Sequence, residues 1–196
     1  MGYGQRFVTQ SALLLDRMHD ATQMLDWTAK EIYDPRIGSF IVPEANQIDP
    51  TGRFWYRTGD LGTGVQEAET VKALRIVIGV DDTQPERIQV FPRMPYDWNE
   101  IAIDSYPVLF EHTGKTDTAV IRYKLTRTTN RMDLNISADK ELGDTTIRLG
   151  PFKHQPSPSS ILVNGDVPTE TSIRHSGDSW WVRFTTSVGP RAGSTR

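Results

Sequence analysis

Along residues 11–33, SALLLDRMHDATQMLDWTAKEIY, apolar side chains recur at Leu14, Met18, Ala21, Leu25, Ala29 and Ile32. Steps of three and four place them on one face of a helix. Thr9 or Ser11 is placed to cap its start, and YDPRIG ends it, because Pro35 disfavours helix at the residue before it. A second segment, GVQEAETVKALRIVIG, repeats the period at Val65, Ala68, Val71, Leu74 and Ile78, and Gly79 stands where a left-handed C-terminal cap is expected. Both helices are apolar over a wide arc, through Leu13, Leu14 and Leu15 in one and Ile76, Val77 and Ile78 in the other.

After GVDDTQPER the period becomes two. AVIRYKLTR alternates Ala119, Ile121, Tyr123 and Leu125 against polar positions, and RMDLNIS does the same with Met132, Leu134 and Ile136. TTIRLG, SILVNG, TSIRH and WWVRF follow at a spacing that suits an antiparallel sandwich, with Asn164–Gly165 as a hairpin signal. RIQVFP, EIAID and YPVLFEH supply earlier strands. The fold class read from this pattern is α+β, an N-terminal helical hairpin followed by an antiparallel β-sandwich. The division is a helical segment over 1–84, a β-domain over 85–188 and a tail over 189–196, with strands expected only after about residue 86. Trp98 and the Trp180–Trp181 pair are assigned to the sandwich core and its rim.

Between the two helical segments lies FIVPEANQIDPTGRFWYRTGDLGTGVQEAE, Phe40 to Glu69, read as a long irregular loop. Helix connections in bundles run about 2 to 8 residues, so this length asks for a reason. Its residues are the chemically suggestive ones: Glu44, Asp49 and Asp60, with Trp55 and Tyr56 beside them. A solvated carboxylate is the plain alternative for Glu44, helix capping for Asp60, and side chains that hold the loop down for Trp55 and Tyr56. Glu67 and Glu69 fall on the second helix.

Composition narrows the function classes. With 24% charged and 37% hydrophobic residues over 196 positions the chain has the balance of a globular protein. A net charge of -3 offers no basic footprint for nucleic acid. The chain has 0 cysteines, which excludes disulfides and thiol chemistry and leaves the compartment undetermined. No run approaches the roughly 20 apolar residues of a membrane span, and MGYGQRFVTQ lacks the basic and apolar regions of a signal peptide. The histidines, His19, His112, His154 and His175, are too scattered for a metal site, and no cofactor motif is present.

The order of elements, with GYGQRFVTQSALLLDRMHDA, FIVPE, GDLGTGVQEAETVKALRIVIGVDD, VFPRMPYDWNEIAI and IRLGPF in sequence, resembles the carboxy-terminal end of the six-hairpin glycosidases. These glucoamylase-like and rhamnosidase-like enzymes are (α/α)6 barrels of twelve helices, often followed by a β-sandwich. The resemblance implies that this chain holds about two barrel helices and is a fragment, or a gene product cut down from such an enzyme. MGYGQ, which enters almost directly into helix, fits that expectation. In glucoamylase-like relatives the general base sits in a late barrel loop in a Pro-Glu-Gln or Ala-Glu-Gln string. FIVPEAN matches at Pro43 and Glu44 and departs at Ala45. On this likeness Glu44 is the candidate general base, Asp60 the second candidate, and Trp55 and Tyr56 are sugar-stacking residues. The general acid would lie earlier in the parent chain, so the isolated chain is expected to be inactive. The partners implied are carbohydrate, in the parent enzyme, and a second copy of the chain through the helical half; no nucleic acid, no membrane and no cofactor or metal. The rival reading is a non-catalytic module that binds carbohydrate or another protein.

Overall fold

The computed structural model describes residues 2–32, 43–48, 51, 55–61, 64–129, 131–168 and 170–190; within these, residues 2–6, 31–32, 43–48, 55–61, 64–67 and 112 are described by their backbone. The chain is mixed α+β. Its helices are α1 (Gly2–Leu14), α2 (Met18–Ile32) and α3 (Gly64–Ile78), with β1 (Pro43–Ile48) and β2 (Trp55–Leu61) between the last two. There follow β3 (Val80–Asp81), β4 (Gln89–Val90), β5 (Glu100–His112), β6 (Lys115–Arg127), β7 (Met132–Ala138), β8 (Asp144–Phe152), β9 (Thr171–Ser176) and β10 (Ser179–Ser187). They form a hairpin β1-β2, a sheet in the order β3-β4-β8-β10-β9 and a sheet in the order β5-β6-β7. Pairing is antiparallel except between β4 and β8, which run parallel.

The period-two reading holds where one face of a strand is buried. Along β6, Ala119, Ile121, Tyr123 and Leu125 are all buried, and they meet Val108 and Phe110 of β5 in the same core as Val90, Ile147, Val182 and Phe184 of the larger sheet. Burying each large apolar side chain contributes about 1.5–3 kcal/mol. EIAID and YPVLFEH are one strand, β5, whose register shifts between Ile103 and Tyr106. SILVNG is not a strand: it supplies one bridge, Val163 to Asp166, closed by a tight turn with Asn164 at φ 55° and Gly165 at φ 96°. Both positive angles are those of the hairpin turn that Asn-Gly favours.

The helical half departs from expectation in three ways. First, the single helix over 11–33 is two, broken at Leu15–Arg17, and Thr9 and Ser11 lie inside α1 rather than at its start. The break is a Schellman cap. Arg17 N–H donates to the Ala12 carbonyl (2.9 Å) and Asp16 N–H to the Leu13 carbonyl (3.2 Å), with Asp16 at φ 58° where glycine is usual. Second, strand ladders occur before about residue 86: the segment read as an irregular loop contains β1 and β2, and β3 begins at Val80 and pairs with β4. The hairpin accounts for much of the length of that connection. Third, the phase of the apolar face of α3 is different. Glu69, Ala73 and Val77 are buried, whereas Val71 is 56% and Leu74 42% exposed. Gly79 is the left-handed cap expected, at φ 70° with its N–H on the Arg75 carbonyl (2.8 Å).

Tyr123 ties the end of α3 to the three-stranded sheet by donating its hydroxyl to the Ile78 carbonyl (2.7 Å). Burial pushes this phenol well above its ordinary pKa, which keeps the donor protonated. Among the described residues no helix is long and apolar enough to cross a membrane.

Candidate functional site

The β1-β2 hairpin carries all four residues singled out by the glycosidase resemblance. Its register pairs Ile48 with Trp55, Gln47 with Tyr56, Asn46 with Arg57 and Ala45 with Thr58, then shifts so that Pro43 pairs with Leu61. One residue of β1, Glu44, therefore stands against two of β2, Gly59 and Asp60. That is a β-bulge, and bulges recur beside active sites because they re-aim the chain locally. Glu44 and Asp60, sixteen positions apart by number, thus occupy facing positions at the base of one hairpin. Trp55 and Tyr56 lie toward its tip. The side chains of these four residues, and the whole of Asp49, lie outside the described residues.

A second cluster is centred on Asp16. Its carboxylate is ion-paired to Arg148 of β8, lies 3.6 Å from Nε of Arg93 and accepts the Ser176 hydroxyl at 2.6 Å. Asp16 is buried, and the Arg148 and Arg93 side chains are 15% and 12% exposed. Burial lowers the pKa of Arg93, opposed by the Asp16 charge. The Arg148 guanidinium also lies over the Trp181 ring, 3.8 Å from its centroid. A buried charge cluster of this kind needs every charge answered, and Asp16 answers two.

The chain enters α2 immediately after this cluster. Both oxygens of Asp178, in the β9–β10 turn, accept the first backbone N–H groups of α2, from Met18 (3.0 Å) and His19 (2.8 Å). Burial would raise the Asp178 pKa, but the Ser179 hydroxyl and those two N–H groups outweigh it and hold the carboxyl below its ordinary value. Ser179 in turn accepts from the Tyr96 hydroxyl (2.8 Å), whose own pKa burial raises.

Beside Asp16 a cleft of about 810 Å3 runs over β9 and β10, lined among others by Arg148, Arg174, Arg183, Glu170 and Trp181. Register explains the lining. Arg148 pairs with Arg183 and Ser172 with Arg183, so three neighbouring strands present these residues on the sheet face opposite Val182 and Phe184. Guanidinium and hydroxyl donors with the carboxylates of Asp16 and Glu170 suit recognition of a polar ligand. Among the described residues no group of three or more His, Cys, Asp or Glu gathers as a metal site would require.

The hairpin residues were visible in the sequence as a cluster of carboxylates and aromatics. Asp16, Arg93, Arg148 and Asp178 were not; the one signal for Asp16 and Arg148 is a charge set in an apolar or alternating run, LLLDRM and TTIRLG, and Asp178 lies in the polar turn HSGDS. Trp181 is buried and Trp180 half-buried, on the larger sheet; Trp98 is 36% exposed. Glu69 is buried and bonded to Gln10 of α1 (2.7 Å) and Lys72 (2.5 Å), which lower its pKa in the order Lys72, Gln10. It joins α1 to α3. Compared with family models, with curated proteins and with solved structures, the chain gives no match.

Proposed function

We propose that this chain is the carboxy-terminal part of an inverting-type glycoside hydrolase of the six-hairpin kind. In this reading α1–α3 are the last helices of an (α/α)6 barrel and the β-rich remainder is its trailing sandwich. The β1-β2 hairpin forms one wall of a sugar cleft, with Glu44 as general base, Asp60 as second candidate, and Trp55 and Tyr56 as ring-stacking residues. The substrate is carbohydrate and no cofactor takes part. The observation that supports the reading is the bulge that sets Glu44 against Gly59–Asp60 between two helices.

Glycoside hydrolysis needs a proton donor as well as a base. In this reading the donor is contributed by earlier barrel loops, so the isolated chain is expected to release no phenol from aryl glycosides. In the full-length parent, Glu44→Gln should lower kcat by about 10²- to 10⁴-fold with an unchanged melting temperature, because it removes the base and nearly keeps its shape. Turnover by the isolated chain, or an active Gln variant, would remove Glu44 from this role; in the latter case Asp60→Asn is the next variant to assay.

The helical half is proposed to meet a second copy of the chain. Of the residues expected to be uncovered, Leu13 and Val77 are buried and Ile76 and Ile78 partly so, but Leu14 and Leu15 are 58% and 64% exposed. Phe7 and Val8 (45% and 50%) stand on the same outer side of α1, opposite Thr9, Ala12 and Leu13. Large exposed apolar patches usually mark an interface, and a two-fold arrangement would cover two such faces at once. Light scattering at micromolar concentration should give a dimer that Leu14→Glu/Leu15→Glu dissociates; a wild-type monomer sinks this proposal. The second reading, a non-catalytic carbohydrate- or protein-binding module, draws on the cleft beside Asp16. It predicts retention on polysaccharide with no hydrolysis in any parent chain.

A further inference from the structure

On the β-rich half, Tyr96 and the ends of β6 and β8 enclose another cleft, of about 620 Å3. Arg127, Arg131, Lys153 and His154 line it, together with Tyr96 and Phe152, and among the described residues no Asp or Glu lines it. Arg127 is the informative one. Its guanidinium donates to three backbone carbonyls, of Pro95 (2.8 Å), Met94 (3.3 Å) and Pro151 (3.4 Å), and lies 5.9 Å from the centroid of the Tyr96 ring. All these partners are neutral. They fix the position of the charge without cancelling it.

The acids nearby do not make up the difference. Asp133 accepts Arg131 Nε at 2.7 Å and is occupied by it. Asp97 acts on Arg127 through space, and its effect is smaller than that of burial, which lowers the Arg127 pKa. Lys153 stands 5.6 Å from the Tyr96 centroid, adding a second cation beside the same ring. A partly buried guanidinium with no carboxylate partner among the described residues is costly to hold, and an anion in the adjoining space relieves that cost.

We propose that this cleft is an oxyanion-binding site, in which Arg127, Arg131 and Lys153 hold the carboxylate, sulfate or phosphate group of a small acidic ligand. Arg127 is pre-set by its three carbonyl bonds, which lowers the ordering cost of binding, and those bonds leave two of its five N–H donors for an oxyanion. Arg131 and Lys153 lie at the exposed mouth; Lys153 supplies charge, and Arg131, whose Nε is held by Asp133, supplies its Nη donors. Tyr96 and Phe152 give the cleft an apolar wall, so a ring that carries the anion, such as a uronic acid, can sit against them. The proposal stands on this cleft and does not depend on the glycosidase reading.

The test is calorimetric titration of the whole chain with sodium phosphate, sodium sulfate, glucuronate and, as the neutral control, glucose, at one ionic strength. At least one oxyanion should saturate while glucose does not. Tighter glucuronate than phosphate or sulfate identifies a sugar acid as the source, and the reverse order an inorganic or ester oxyanion. Arg131→Ala/Lys153→Ala changes two exposed side chains outside the core and should weaken binding by about tenfold or more at an unchanged melting temperature. Absence of saturation by every oxyanion, equal binding of glucose, or an unchanged Kd in the double variant overturns the proposal.

Discussion

Replacing Asp16 by alanine is expected to lower the stability of the fold by about 3–5 kcal/mol, read as an earlier denaturant midpoint at constant slope. Removal of one partner from a buried ion pair leaves the other charge uncompensated, and here two guanidinium groups, of Arg148 and Arg93, lose their counter-ion together. Alanine also keeps the left-handed φ of 58° without a side chain that favours it. Two further variants separate these causes. Asp16→Gly relieves the backbone and still lacks the charge, so it should recover only a small part of the loss. Asp16→Asn tolerates the left-handed angle and still accepts the Ser176 hydroxyl, and should be the mildest of the three. A midpoint for Asp16→Ala within about 0.5 kcal/mol of wild type would show that the cluster carries no stability.

What the order of amino acids alone reveals of the fold follows a physical line. β6 is legible because from Ala119 to Leu125 one of its faces is buried and the other is not, so the alternation of Ala119, Ile121, Tyr123 and Leu125 survives intact. Gly79 is legible because only glycine takes φ 70° so close to a backbone, where an added Cβ would fall 2.0 Å from the Phe91 carbonyl oxygen. The break between α1 and α2 is illegible because nothing local makes it. LLLDRMHD contains no glycine or proline, and a continuous helix is the best local solution. The turn is selected by Asp178, which is 160 positions from Met18 and caps α2 from the β9–β10 turn. Local propensity yields there to a tertiary partner.

The candidate sites divide the same way. Glu44, Asp60, Trp55 and Tyr56 could be picked out by type, but their shared position comes from strand pairing, and PEANQI carries too little alternation to announce a strand. The cationic cleft on β9 and β10 is harder still. Arg148 and Arg183 sit at every-other-residue positions that ordinarily face water. Nothing in TTIRLG or WWVRF says that another element, the α1–α2 junction, comes to rest beside that face and turns Arg148 inward onto Asp16.

Gly177→Ala is expected to cost about 2–4 kcal/mol, from the left-handed backbone and from overpacking against main chain that cannot turn aside. Gly177 has φ +61°, and an added Cβ would fall 2.2 Å from the Asp16 carbonyl oxygen and 2.6 Å from that of Leu15. The β9–β10 turn must therefore lift away from the helix break, and Asp178 moves with it. This gives the variant a second signature, in acid. The folded-state pKa of Asp178 lies below its unfolded value because Ser179, His19 and Met18 donate to the ionised form more strongly than burial opposes it. Its contribution is present above the unfolded pKa and is lost as pH falls through the folded one. Once the turn has lifted, that difference closes, so the stability of Gly177→Ala should fall less steeply with acid than that of wild type. Asp178→Asn should flatten the same acid limb while costing less at neutral pH, about 0.5–2 kcal/mol, since it removes a cap and leaves the turn seated. Denaturant midpoints measured from neutral pH downward for the three proteins check both statements. A wild-type midpoint, or an acid limb as steep as wild type in Gly177→Ala, would mean that the turn does not bear on the helix junction.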